Sequence, residues 1–198
     1  MLRLLLAAVL LAAPAQQLGR SYEGRPIQVL HVRGDGVRVL VIGCIHGDEC
    51  EGMEVTRLLA RSQPAADLWL VHQLNPDGYA ARKRGNAHSA DLNRDFLSAS
   101  QRETRIARKL ILRLRPDVTI WFHQPQSVVR AWGRSRATAR RYAQLAGVRY
   151  RSLVWPPGSA SRWQNGLGQA SFVVELPPGE LPDALARRHA SAVLALTR

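Results

Sequence analysis

His46 and Glu49 stand three residues apart in the stretch Gly43-Cys44-Ile45-His46-Gly47-Asp48-Glu49-Cys50-Glu51-Gly52. An imidazole and a carboxylate at that spacing can converge on one cation, and mixed nitrogen and oxygen ligation suits zinc. The glycines let the chain turn sharply and come close to whatever is bound. His123 closes the apolar run Val118 to Phe122 and offers a third donor. Together His46, Glu49 and His123 would hold one zinc ion per chain and leave a fourth position for water, the layout of a catalytic zinc site. Such an ion lowers the pKa of water and polarises a carbonyl, which is hydrolytic chemistry. A base is still required. Glu175 is the candidate, the one carboxylate in the otherwise apolar Ser171-Phe172-Val173-Val174-Glu175-Leu176-Pro177. An unpaired charge buried there is costly, and a nearby dication would account for it. The bland alternative is a packed strand-end histidine and a solvated strand-end glutamate.

These residues need elements to bring them together. Ile27 to Val32 alternates as a strand; Gly34-Asp35-Gly36 is a hairpin signal and makes Val37 to Ile42 its partner strand. A helix is predicted over roughly 50–61 and a strand over 67–74. Asn75-Pro76-Asp77-Gly78 then opens a long irregular loop to about Ala99. Ser100-Gln101-Arg102-Glu103 reads as a capping box for a helix that stops at Pro116. A strand over 118–122 ends in His123, a helix covers 135–145, and a strand covers 148–154. Trp155-Pro156-Pro157-Gly158 begins a second irregular loop, and a strand over 171–176 and a helix over 182–196 close the chain. Strands alternating with helices predict an α/β fold, three layers with a mixed central sheet. The polar candidates lie at strand ends, where open α/β sheets bind ligands.

Composition limits the partners. The chain carries 28 Lys and Arg against 15 Asp and Glu, a formal charge of +13, and only Lys83 and Lys109 are lysines. Such a surface attracts anionic polymers, with an anionic cell wall the expected partner. No aromatic-interleaved basic motif of the RNA-binding kind is present, so nucleic acid is not expected. Residues 1–15 combine a basic start, an apolar run and Ala13-Pro14-Ala15. That pattern predicts a secretory signal peptide, with residues 16–198 the exported catalytic domain and no membrane span in the mature chain. An uncleaved anchor is the alternative. Export would permit a disulfide between Cys44 and Cys50. One cysteine ends a strand and the other starts a helix, however, and two small buried thiols are the preferred reading.

The order HGDE, NPDG, Arg84-Gly85-Asn86, Asp91-Leu92-Asn93-Arg94-Asp95-Phe96, a strand-end His and a late Glu resembles the zinc carboxypeptidase family. The lead-in Ser21-Tyr22-Glu23-Gly24-Arg25-Pro26-Ile27 is similar to its murein peptide amidase branch. The resemblance implies zinc ligation by His46, Glu49 and His123. It implies that Glu175 is a general base passing its proton to the leaving amine, and that Arg84 stabilises the oxyanion. Asn93 and Arg94 would grip the substrate's terminal carboxylate, and Asp91 would orient a zinc-bound histidine. Ser161, Arg162 and Trp163 fall where the family lines its specificity pocket, and Arg162 there would favour an acidic side chain or the extra carboxylate of diaminopimelate in wall peptides. The family's mobile tyrosine has no counterpart, since Tyr150 lies too early and Trp155 is not phenolic. The expected reaction is hydrolysis of an amide next to a free carboxylate, in peptides or peptidoglycan stem peptides, at the bond between D-glutamate and diaminopimelate. Deacylation of N-acyl amino acids, as in aspartoacylase-like relatives, and a non-catalytic wall-binding module are the alternatives.

Overall fold

The computed structural model describes residues 15–196, so all of the predicted signal peptide except Ala15 lies outside the described residues. The elements run β1 (Ala15–Arg20), β2 (Pro26–Val32), β3 (Arg38–Ile42), α1 (Gly52–Leu59), β4 (Asp67–Val71), α2 (Pro76–Ala81) and α3 (Arg102–Leu114). There follow β5 (Val118–His123), β6 (Val128–Ala131), α4 (Arg136–Ala146), β7 (Arg149–Ser152), α5 (Ala160–Gly166), β8 (Ala170–Glu175) and α6 (Asp183–Ala195). One mixed sheet has the order β1-β2-β4-β3-β5-β8-β6-β7. Its centre, β4-β3-β5-β8, is parallel. Among the described residues no helix is long and apolar enough to cross a membrane.

The strand period of two explains the layers. Val39, Val41, Ile120, Phe122, Phe172 and Val174 face α1, α4 and α6, which bury Val55, Leu59, Tyr142 and Val193 against them. The alternate residues Leu40, Ile42, Trp121 and Val173 face α3 and α5, through Ala107, Leu110, Ile111 and Ala160. The expected three-layer α/β/α fold is therefore present. By the same alternation His123 shares the face of Trp121, and Glu175 shares that of Val173.

Three local expectations are corrected. The predicted hairpin between the strands around Gly34-Asp35-Gly36 does not form: β2 pairs with β4, and β3 lies between β4 and β5. The glycines serve a crossing instead. Gly36 N–H donates to the Ala65 carbonyl at 2.7 Å, and a Cβ on Gly34 would stand 2.2 Å from the Ala66 oxygen. The capping box is also absent. Asp95 accepts from the backbone N–H of Ser100 and Gln101, both at 2.9 Å, and so fixes the turn that leads into α3, whose N-cap Gln101 makes no side-chain capping bond. Glu103 is fully buried and accepts from Asn86 Nδ2 at 3.0 Å. The two expected irregular loops, finally, contain α2 and α5, and β1 and β6 were not anticipated.

Candidate functional site

The His46 turn begins where β3 ends. Gly43 N–H bonds the Val71 carbonyl at 2.9 Å and Leu74 N–H bonds the Cys44 carbonyl at 2.8 Å, so the turn leaves the sheet in a fixed direction. Glu49 N–H then returns to the His46 carbonyl at 3.1 Å, folding the carboxylate back beside the imidazole. Gly47 packs directly on α2, where a Cβ would lie 1.9 Å from the Gly78 carbonyl carbon. Cys44 and Cys50 form a disulfide with Cα atoms 4.5 Å apart, which corrects the preference for free thiols. Both cysteines belong to the turn itself, between the end of β3 and the start of α1. Their backbones therefore approach within bonding range.

The structure joins three strand ends around this turn. His123 and Glu175 are direct partners in the β5–β8 ladder and lie on one face. His46 Nδ1 and His123 Nδ1 each lie 3.0 Å from Glu49 Oε2. The donor atoms of His46, Glu49 and His123 all fall within 4.8 Å of one another. A tetrahedral zinc with bonds near 2 Å needs ligand atoms about 3.3 Å apart; the two contacts to Glu49 at 3.0 Å are near that spacing, so these residues could hold zinc once the wider pair draws in. The tautomer fits as well. His46 Nε2 donates to Asp91 Oδ1 at 2.9 Å, which turns Nδ1 toward Glu49.

The electrostatics are those of a site built for a cation. Burial alone would lower the His46 imidazole, but hydrogen bonds with Asp91 and Glu49 outweigh it and leave it raised. Burial would likewise raise Glu49 and Asp91, yet Glu49's bonds to His123 and His46, and Asp91's bond to His46, hold both well below the carboxylate range. His123 is fully enclosed, and burial pushes it down to about 4 despite its bond to Glu49. Glu175 behaves oppositely. Burial first, and then the charge of Glu49, push its carboxyl up to about 7. It is only 4% exposed and its Oε2 has no hydrogen-bond partner. A buried carboxylate with an unmatched oxygen beside three potential ligands is poised to exchange a proton with something bound there.

Arg84 also reaches the cluster: its Nη1 bonds Glu49 and its Nε donates to Asp91 Oδ2 at 3.1 Å. The NPDG motif positions it. Asn75 Oδ1 caps α2 by accepting from Gly78 N–H at 3.0 Å, while Nδ2 holds the Arg84 and Gly85 carbonyls at 3.3 and 3.2 Å. The other expected residues stand further out. Asn93 is buried, its Oδ1 accepting from Ala160 N–H at 2.9 Å, so it joins the Asp91 loop to α5. Arg94 is exposed and bonds the Asn93 carbonyl at 2.8 Å. Arg162 donates to the Trp155 carbonyl at 3.0 Å and lines a groove of about 400 Å³ with Leu97, Trp132 and Trp163, apart from the His-Glu-His cluster.

Two participants were not anticipated. Gln124 N–H points at Glu49 Oε2 at 3.3 Å, and its side-chain amide holds the Pro177 and Gly179 carbonyls, each at 2.8 Å. It thereby ties the end of β8 to the end of β5. Its only sequence signal was a polar amide directly after the strand-end histidine. Trp155 stacks on His123, with ring centroids 6.5 Å apart and planes at 23°; nothing in the Trp-Pro-Pro-Gly run pointed to that contact.

The chain resembles known proteins in consistent ways. Residues 35–120 match the family model described as the succinylglutamate desuccinylase/aspartoacylase catalytic domain. That stretch includes His46, Glu49, Arg84 and Asp91 and stops short of His123. A carboxypeptidase from Arabidopsis thaliana, SOL1, is 34% identical over 99 aligned residues, covering 40% of this chain and 20% of that protein. The chain thus spans a small part of that relative. Its fold matches the murein-tripeptide amidase MpaA of Escherichia coli O157 with a TM-score of 0.79 and 23% identity, over 93% of this chain and 92% of that one. A metallo-carboxypeptidase from Burkholderia cenocepacia matches with a TM-score of 0.77 and 19% identity, over 93% of this chain and 64% of that one.

Proposed function

The chain has a zinc carboxypeptidase-like fold, and from that premise we propose that it is a zinc-dependent hydrolase of an amide bond beside a free carboxylate, acting on peptidoglycan stem peptides at the D-glutamyl–diaminopimelate bond. The observation that carries this reading is the pairing of His123 with Glu175 across β5 and β8, next to the His46–Glu49 turn. His46, Glu49 and His123 would hold the zinc, which when bound would activate water and polarise the scissile carbonyl. Glu175 takes the proton from the attacking water and returns it to the leaving amine; it is buried beside the three ligands with Oε2 unpaired, which places it for both tasks. Arg84 bonds the cluster through Nη1 and Nε, and Nη2 makes no bond among the described residues, which leaves a donor for a developing oxyanion. Arg94, exposed beside Asp91, would receive the substrate's free carboxylate together with the amide N–H groups of Asn93, whose buried Oδ1 is already engaged by Ala160. The amidase from Escherichia coli supports the murein substrate, since the two folds coincide over nearly their full lengths. The signal-peptide pattern of residues 1–15 and the formal charge of +13 support export toward an anionic wall.

A second reading is favoured by the family-model match over residues 35–120: deacylation of N-acyl amino acids. One incubation separates the two. Zinc-loaded protein is given defined murein tripeptides and N-acyl amino acids, and products are identified by mass. Release of diaminopimelate from the tripeptide supports the first reading. Release of acid from the acylated amino acid alone supports the second, and turnover of neither overturns both.

A further inference from the structure

Arg130 lies on β6, which runs antiparallel to β8 with Val128 opposite Glu175 and Arg130 opposite Val173. Val129 and Ala131 join the layer of α4 and α6, so alternation turns Arg130 to the other face, shared with Val173 and Glu175. Diagonal neighbours on an antiparallel pair are about 7–8 Å apart, within reach of a long side chain. The guanidinium lies 5.5 Å from the centroid of the Trp155 ring, and that ring stacks on His123. Arg130, Trp155 and His123 thus form a continuous stack leading to the cluster.

The guanidinium lacks an anion. Its Nε is buried with no hydrogen-bond partner, and Nη2 bonds only the neutral amide oxygen of Gln126. It forms no ion pair among the described residues, and the sequence contains no Asp or Glu between Asp117 and Glu175. Its charge instead acts on Glu175 itself. A half-buried cation without a counter-ion is costly, and Nη1, which makes no bond among the described residues, is left to donate to a carboxylate. Arg162 lacks these features, since its Nη1 is engaged by the Trp155 carbonyl and its groove lies apart from the cluster.

Resting on the amide-hydrolase reading, we propose that Arg130 receives a second carboxylate on the residue released from the substrate, so that the favoured substrates are peptides whose C-terminal residue bears an acidic side chain.

The test compares γ-D-glutamyl dipeptides ending in glutamate, glutamine or leucine, with zinc-loaded wild type and the R130Q, R130K, R162Q and R134Q variants. The readout is the ratio of kcat/KM for glutamate over glutamine, which a merely structural role would not move, because the two substrates share a shape. The ratio should fall about 10- to 100-fold in R130Q, recover in part in R130K and hold in R134Q, whose arginine lies outside the site. An unchanged ratio in R130Q, or its loss in R162Q while R130Q keeps it, overturns the proposal. Calorimetric binding of the same dipeptides to E175Q and to E175Q/R130Q separates the two readings. Arg130-dependent preference for glutamate without any turnover sinks the hydrolase reading and leaves this one standing. Turnover without Arg130-dependent preference does the reverse, and neither turnover nor binding removes both.

Discussion

Replacing Glu175 with glutamine should stabilise the metal-free protein, and by an amount that grows with pH. The folded carboxyl titrates near 7 against an ordinary 4.5, because burial and the Glu49 charge penalise its ionised form. Between those values the folded state keeps a proton that the unfolded chain has released, so stability falls as pH rises. Each pH step costs about 1.4 kcal/mol, or about 3 kcal/mol across the window, with no further loss above it. Glutamine does not titrate. The stability of E175Q relative to wild type should therefore be smallest near pH 4.5, climb by about 3 kcal/mol and level off above about pH 7. Urea unfolding of both proteins in chelator at several pH values measures this, and taking the difference removes the titration common to both. Zinc should shrink the gap, since a dication beside the carboxylate favours its charged form. A flat difference, or one that falls with rising pH, would refute the placing of Glu175 as a buried, unmatched carboxylate.

Other consequences follow from the same geometry. Asp91→Asn keeps an acceptor for Asn93 N–H but removes the charge that fixes the His46 tautomer; zinc affinity, measured by chelator competition, should drop about 10- to 100-fold. Breaking the Cys44–Cys50 disulfide as C44S/C50S opens a loop closed over a separation of 6 residues. It should cost about 2 kcal/mol in chemical denaturation, and reductant should then affect wild type alone. Gly47→Ala places a methyl 1.9 Å from the Gly78 carbonyl carbon. It should cost about 2 kcal/mol or more and weaken zinc binding with it, both read on one preparation.

The parts of the site carried by strand ends were legible because apolar runs stop abruptly at the residues that matter. Val118 to Phe122 could only be a buried strand, and His123 had to emerge from it. Glu175 stood out because a charge inside an apolar strand demands a reason. Pairing between strands was less legible. Gly34-Asp35-Gly36 carries the composition of a hairpin turn, yet its glycines answer to the backbone at Ala65 and Ala66, far along the chain. β6 has four residues with Arg130 among them, and α5 is a short helix in a Gly- and Pro-rich stretch; neither shows a clear period. The capping box does not form because Asn86 claims Glu103, and Asp95 instead holds the turn before the helix. Asn93 and Asp95 were visible as an unusual polar run, but their task of joining loops could be seen only once α3 and α5 were in place.

The most direct test is to measure zinc stoichiometry and murein-tripeptide turnover on a single preparation of E175Q. Retention of one ion per chain with turnover reduced at least about 100-fold is the expected result, since His46, Glu49 and His123 are untouched while the proton carrier is gone. Zinc-replete E175Q that still cleaves the amide at the wild-type rate would contradict the account at its centre.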